Sequence, residues 1–343
     1  MKTEAGLLSV FTNAPSLLQP FIGYLADRVS LRWLVILAPA VTALTMSLLG
    51  ISSSYAIAAL LLILAGISSA GIHAVGPVIA GRLSANRLGM GMSFWMVGGE
   101  LGRTVGPLII VTAVRYLKPE STPWLAVAGI LTSLVLLIYL HNTPDRIIDK
   151  SPNVDWRAAL KSMRRVLLPV TGIILTRAFA FVSVSTFLPT FMTEQGADLV
   201  LAGGSLSVME AAGVAGAFLG GVISDRLGRR PVLAAALVSS SLFLFAFINL
   251  HGWILIAILL GLGFSLLSTA PVIMAAVQES FPENRALANG IYMAVSFLSS
   301  SVVTVLVGGI GDLFNLRTAY AVSAVLIMLG LPFVFLLPKT NGK

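Results

Sequence analysis

Residues 23–32 read GYLADRVSLR and residues 221–230 read GVISDRLGRR. The two stretches share Gly, Asp, Arg and a final Arg in register, at an offset of 198 residues. At the same offset Asn86-Arg87 repeats as Asn284-Arg285. Two matches at one offset make chance a poor account of either, so the chain reads as two parallel copies of one unit. What the unit is follows from its surroundings. Apolar runs of about twenty residues flank both motifs, the length a helix needs to cross a ~30 Å hydrocarbon core.

Composition points the same way. Of 343 residues, 57% are hydrophobic and only 10% charged, whereas a soluble domain carries roughly 25% charged residues. Too little polar surface remains to cover a water-soluble particle of this size. Cysteine is absent, which removes disulfides, thiolate metal sites and cysteine nucleophiles together. The formal net charge of +8 is accounted for by loop arginines that set membrane orientation, not by a nucleic-acid partner.

Eleven hydrophobic helices are expected, at about 4–25, 32–52, 55–80, 91–115, 122–140, 166–192, 203–223, 231–250, 252–277, 286–308 and 317–337. The runs lack the alternation of a membrane barrel. Asn13, Pro15 and Gln19 interrupt the first run, which argues against a signal peptide. Sixteen basic residues fall on one side of these spans and four on the other. The positive-inside rule places the sixteen, and with them the C-terminus, in the cytoplasm. The expected organisation is an N-terminal helical half at 1–140, a cytoplasmic linker at 141–165 and a C-terminal half at 166–343. In the second half two helices precede the Asp-Arg motif; in the first only one does. The first helix of the N-terminal half is therefore expected to be missing, through a misplaced start or a truncation.

The motif residues have a physical logic of their own. Gly23 and Gly221 let neighbouring helices approach closely. Asp27 and Asp225 can accept from a helix N-terminus or pair with a loop arginine, Arg87 and Arg285 being the candidates that repeat in step with them. The pattern Gly-x-x-x-Asp-Arg-x-x-x-Arg resembles the signature loop of the major facilitator superfamily. That resemblance implies two parallel six-helix repeats, all-α and polytopic. It also implies a cytoplasmic gate at Gly23, Asp27, Arg28, Arg87, Gly221, Asp225, Arg226 and Arg285 that favours an outward-open state. The alternative is a plain positive-inside loop.

The fourth span contains VGGELGRTVGPLI at 97–109. Gly98, Gly102 and Gly106 form a stripe at helical spacing, which predicts close helix packing. With Pro107 they resemble the motif that marks drug–proton antiporters in the superfamily, although Leu108-Ile109-Ile110 replaces the further glycines of that motif. The longer stretches 81–109 and 278–312 resemble the fosmidomycin-resistance branch of drug exporters.

Glu100, Arg103, Arg177 and Glu210 are the formal charges within the expected spans, and His73 is the histidine there. A central arginine costs about 2.5–3.5 kcal/mol on insertion scales, so such groups face a bundle interior or a wet cavity. Glu100 and Arg103 lie three apart on one helical face. They form either a structural ion pair or a proton-carrying carboxylate with its partner. Glu210 is the second candidate for proton coupling. Arg177 either holds an anionic group of the solute or pairs with a charge on another helix. His73 is either a cavity residue or a satisfied packing histidine.

Nothing supports an enzyme: there is no nucleophile elbow, metal-ligand cluster or phosphate loop. No cofactor is expected, the energy source being a proton gradient. The chain reads as a secondary transporter of the inner membrane. It is expected to be monomeric, with a small-molecule solute and the lipid bilayer as partners. The first expectation is a proton-coupled exporter of a small organic or drug-like, in one reading anionic, solute. The alternatives are an uptake symporter for an organic anion and a non-transporting membrane sensor.

Overall fold

The computed structural model describes residues 11–338 apart from 13, 85–86, 118 and 143–155. The described residues are helical with short connections and no strand. In chain order the α-helices are α1 (Gln19–Ala26), α2 (Arg32–Leu48), α3 (Tyr55–Leu83), α4 (Leu88–Leu117), α5 (Ala126–Leu140) and α6 (Trp156–Glu194). They continue with α7 (Leu199–Leu227), α8 (Arg229–Asn249), α9 (Ile254–Ser280), α10 (Arg285–Leu313), α11 (Leu316–Met328) and α12 (Leu331–Leu336). Nine of the described helical stretches are long and apolar enough to span a bilayer. The expected span at 91–115 falls within the continuous helix α4. Of the run expected at 4–25, residues 1–10 and 13 lie outside the described residues.

Local chemistry sets the boundaries. Pro20 stands in the first turn of α1, where its missing N–H costs nothing. Asp198 caps α7 by accepting from the Leu201 amide at 2.7 Å, and Asn315 caps α11 by accepting from Thr318 at 2.8 Å. Gly228, at φ +89°, makes the sharp turn from α7 into α8 that a residue with a Cβ resists. One segment differs from expectation: the region read as linker up to residue 165 is helical from Trp156 onward. Its sequence WRAALKSMRR is rich in strong helix formers, and charge that bars a segment from the hydrocarbon does not bar it from a helix.

Large apolar side chains face outward along these helices, among them Ile138 at 68% and Val305 at 74% exposed. Such helices, apolar on all sides, match a lipid surround. The chain divides into two compact units, the first comprising 1–79, 105–160 and 281–294 and the second 80–104, 161–280 and 295–343. In the first unit Ala26, Ile36, Ala74, Val75, Val78 and Ala286 form one core, drawn from α1, α2, α3 and α10. The second unit is built around α9, buried without a break from Ser265 to Gln278. Phe191 stacks on Tyr320 at 4.8 Å between ring centroids, and the Tyr320 hydroxyl donates to the Ser183 carbonyl at 2.6 Å.

Candidate gate and intramembrane charges

Asp27 follows α1 directly, and its carboxylate accepts from the amides of Ala286 at 3.0 Å and Leu287 at 2.8 Å. These are the second and third residues of α10. Asp225, near the end of α7, accepts from the amides of Gly89 and Met90, both at 2.9 Å. These are the second and third residues of α4. First-turn amides have no partner inside their own helix, and their summed dipoles favour a negative charge. Each carboxylate therefore serves as a cap supplied from another helix. Close approach makes this possible. A Cβ on Gly23 would run into the Ala286 carbonyl, and one on Gly221 into the Gly89 carbonyl and the Ser93 hydroxyl.

Both aspartates accept from a helix N-terminus, and Asp225 also pairs with an arginine, Arg229. Arg87 and Arg285 form no ion pair with them among the described residues, a correction to the arginine alternative. Arg285 is the first residue of α10, and a helical side chain leans back past its own N-terminus, away from the amides that follow. Arg87 is exposed just before α4. Arg28 lies over the Tyr24 ring at 3.5 Å and donates to the Tyr24 carbonyl at 3.4 Å. Arg226 is exposed.

The second aspartate has further company that the motif alone did not single out. Arg229 donates to Asp225 at 2.7 Å and to Glu279 at 2.5 Å and 3.2 Å, and also bonds the Ser224 hydroxyl. Its side chain is 4% exposed. The signal was present in part: Arg229 stands only four residues after Asp225, across the turn at Gly228. Glu279 comes from the C-terminal end of α9, fifty residues away, and no local pattern links it.

Within the spans, Glu100 is 3% exposed on α4, and its carbonyl accepts from the Thr104 hydroxyl at 2.9 Å. The side chains of Arg103 and Pro107, and so the expected Glu100–Arg103 pair, lie outside the described residues. The glycine stripe is a correction. At Gly98, Gly102 and Gly106 an added Cβ would meet nothing within 4 Å, so this face makes no close helix crossing among the described residues. Helical spacing puts the three on one face but does not say that another helix covers that face. Arg177, half-buried on α6, donates through Nε and Nη2 to the Leu266 carbonyl at 3.4 Å and sits 5.2 Å from the Phe181 ring centroid. Glu210 is half-buried on α7 and His73 half-buried on α3.

Two amides were also overlooked as site residues. Gln19 on α1 and Asn289 on α10 are both 0% exposed. Asn289 donates to the carbonyls of His73 at 2.8 Å and Ala74 at 3.2 Å. Its Oδ1, and both amide atoms of Gln19, have no hydrogen-bond partner among the described residues. A buried polar atom left without a partner costs about 1–3 kcal/mol.

Known proteins resemble the chain over its whole length. The fosmidomycin resistance protein of Escherichia coli is 24% identical across 99% of this chain and 85% of its own. An uncharacterized MFS-type transporter of Bacillus subtilis, YfnC, is 23% identical across 98% of this chain and 84% of its own. The fold matches the E. coli fucose:proton symporter FucP with a TM-score of 0.82 at 15% identity, covering 98% of this chain and 92% of that one. It matches the human organic anion transporter MFSD10 (TETRAN) with a TM-score of 0.77 at 16% identity, covering 96% and 83%. The model of the Major Facilitator Superfamily matches residues 2–228 and again 208–343, and the chain belongs to that superfamily of membrane transporters, which are not enzymes.

Proposed function

We propose that the chain is a proton-coupled antiporter that exports a small organic, drug-like solute by alternating access. The observation that carries the reading is Glu100, a residue 3% exposed on α4, whose neighbouring glycines have nothing within 4 Å of an added Cβ among the described residues. A buried carboxylate on a transporter helix is the group we assign to proton coupling. Arg177, half-buried on α6 beside the Leu266 carbonyl and the Phe181 ring, is assigned to an anionic group of the solute. The fosmidomycin resistance protein, similar across nearly the entire chain, supports an exported drug-like solute. Glu210 is the second proton-coupling group. Asp27 and Asp225, with their glycines, act as cytoplasmic gates that close when each carboxylate caps its helix. The protein works as a monomer in the inner membrane with its C-terminus in the cytoplasm.

The test is transport in proteoliposomes with an imposed pH gradient and radiolabelled fosmidomycin as the anionic probe. Probe movement opposite to the proton flow, reversing when the gradient reverses, is expected. Movement with the protons would instead establish an uptake symporter. Glu100→Gln should abolish uphill movement and leave downhill exchange. Arg177→Lys should keep part of the transport that Arg177→Met loses.

A further inference from the structure

We propose that Gln19 and Asn289 are opening residues of the α1–α10 crossing, set against Asp27, which holds the crossing closed. The inference rests on the reading that this crossing separates during transport.

The crossing has a simple register. On α1 and just beyond it, Gln19, Gly23 and Asp27 lie four apart, one above the next on a single face. On α10, Ala286 and Gly290 do the same. A Cβ on Gly23 would strike the Ala286 carbonyl, and a Cβ on Gly290 would strike the Gln19 carbonyl. At one end of this seam Asp27 caps the α10 amides. At the other, Gln19 is fully buried with neither amide atom partnered among the described residues. Asn289, beside Gly290, is fully buried with its carbonyl oxygen equally unpartnered, while its NH₂ reaches the His73 and Ala74 carbonyls of α3. Gln19, Asn289 and the His73 carbonyl thus meet at one level, where α1, α3 and α10 adjoin.

The physics gives the two ends opposite signs. Closing the crossing makes two charge-assisted bonds at Asp27 and leaves three amide atoms without partners among the described residues. Separating it breaks the former and lets water reach the latter. A gate that must be populated both open and closed requires the two states to be nearly equal in free energy. The unpartnered amides offset the cap.

The chain lacks cysteine, so a single Ala286→Cys reporter on α10, 1% exposed and packed in one core with Ala26 of α1, reads the open fraction. The measurement is its rate of reaction with a membrane-impermeant thiol reagent, in membranes and without any solute. Asp27→Asn should raise the rate. Gln19→Met, which keeps the shape and removes the amide, should lower it about tenfold while raising the melting temperature. Asn289→Leu should lower the rate less, because it also removes the bonds to α3. An Asp27→Asn rate equal to the parent would overturn the gate reading on which the proposal stands. A changed rate in Asp27→Asn with an unchanged or faster rate in Gln19→Met would overturn the proposal alone. If Gln19→Met melts lower than the parent, the amide is stabilising in the closed state and the proposal also fails.

Discussion

Asp27 and Asp225 each accept two amides from the second and third residues of a helix, yet their settings differ. Around Asp225 a buried arginine, Arg229, joins the carboxylate to Glu279. At the positions 198 residues earlier stand Leu31 and Gly81. Leu31 packs against the apolar core of the first unit, and a Cβ on Gly81 would press on Gln278 and Leu88 side chains. One copy of the repeat therefore ties its cap to Arg229 and Glu279, and the other has a packed leucine and a glycine at those two positions. The difference teaches that the cap itself needs only a carboxylate and a close approach, so the remainder of the motif is free to specialise. A network built on a buried charge fails steeply when one member is lost, whereas apolar packing fails gradually.

The sharpest way to break this comparison is to remove Glu279. Glu279→Gln leaves Arg229 buried with one carboxylate fewer, and should cost about 3–5 kcal/mol, read as a large drop in thermal stability in detergent. The double variant Arg229→Met with Glu279→Met should recover most of it. Next in size is Gly89→Ala, whose Cβ would meet the Gly221 carbonyl, Arg229 and Asp225 at once; about 2–3 kcal/mol should be lost. The caps come third. Asp27→Asn should cost about 1 kcal/mol, the scale of a charge at a helix N-terminus. Asp225→Asn should cost about twice that, because Arg229 loses a partner as well; equal losses would show that the network adds nothing to the cap. The smallest effect belongs to Gly98→Ala, on the open face of α4. It should be neutral or stabilise by about 0.5–1 kcal/mol through helix propensity alone, and a loss comparable to Gly89→Ala would mean that this face is a packing surface after all.

The helices, the repeat and the two aspartates were legible because each is written in local sequence: apolar runs of fixed length and one motif repeated in register. The receiving side of the two caps was less so. Gly89, Met90, Ala286 and Leu287 contribute main-chain amides, and a main-chain donor leaves no mark in residue type. Arg229 and Glu279 were hidden for another reason, since a pair separated by fifty residues is joined only by the packing of α9 against its neighbours. Gln19 was visible only as an interruption in an apolar run. That interruption marks a buried amide whose cost the local pattern does not reveal. The glycine stripe of α4 shows the opposite failure. Spacing placed three glycines on one face, but only the fold says that none of the described residues packs closely on it.

A contact made between a carboxylate and bare main chain has a consequence for how this protein can vary. An ion pair ties two side chains together, so a change at one end calls for a compensating change at the other. The cap at Asp27 makes no such demand on Ala286 or Leu287, whose side chains do not take part in the two bonds. Substitutions can accumulate there while the aspartate stays fixed. Correlated-substitution methods, which look for paired side chains, would thus find no signal at this contact, while the Arg229–Glu279 pair beside Asp225 is of the kind they detect.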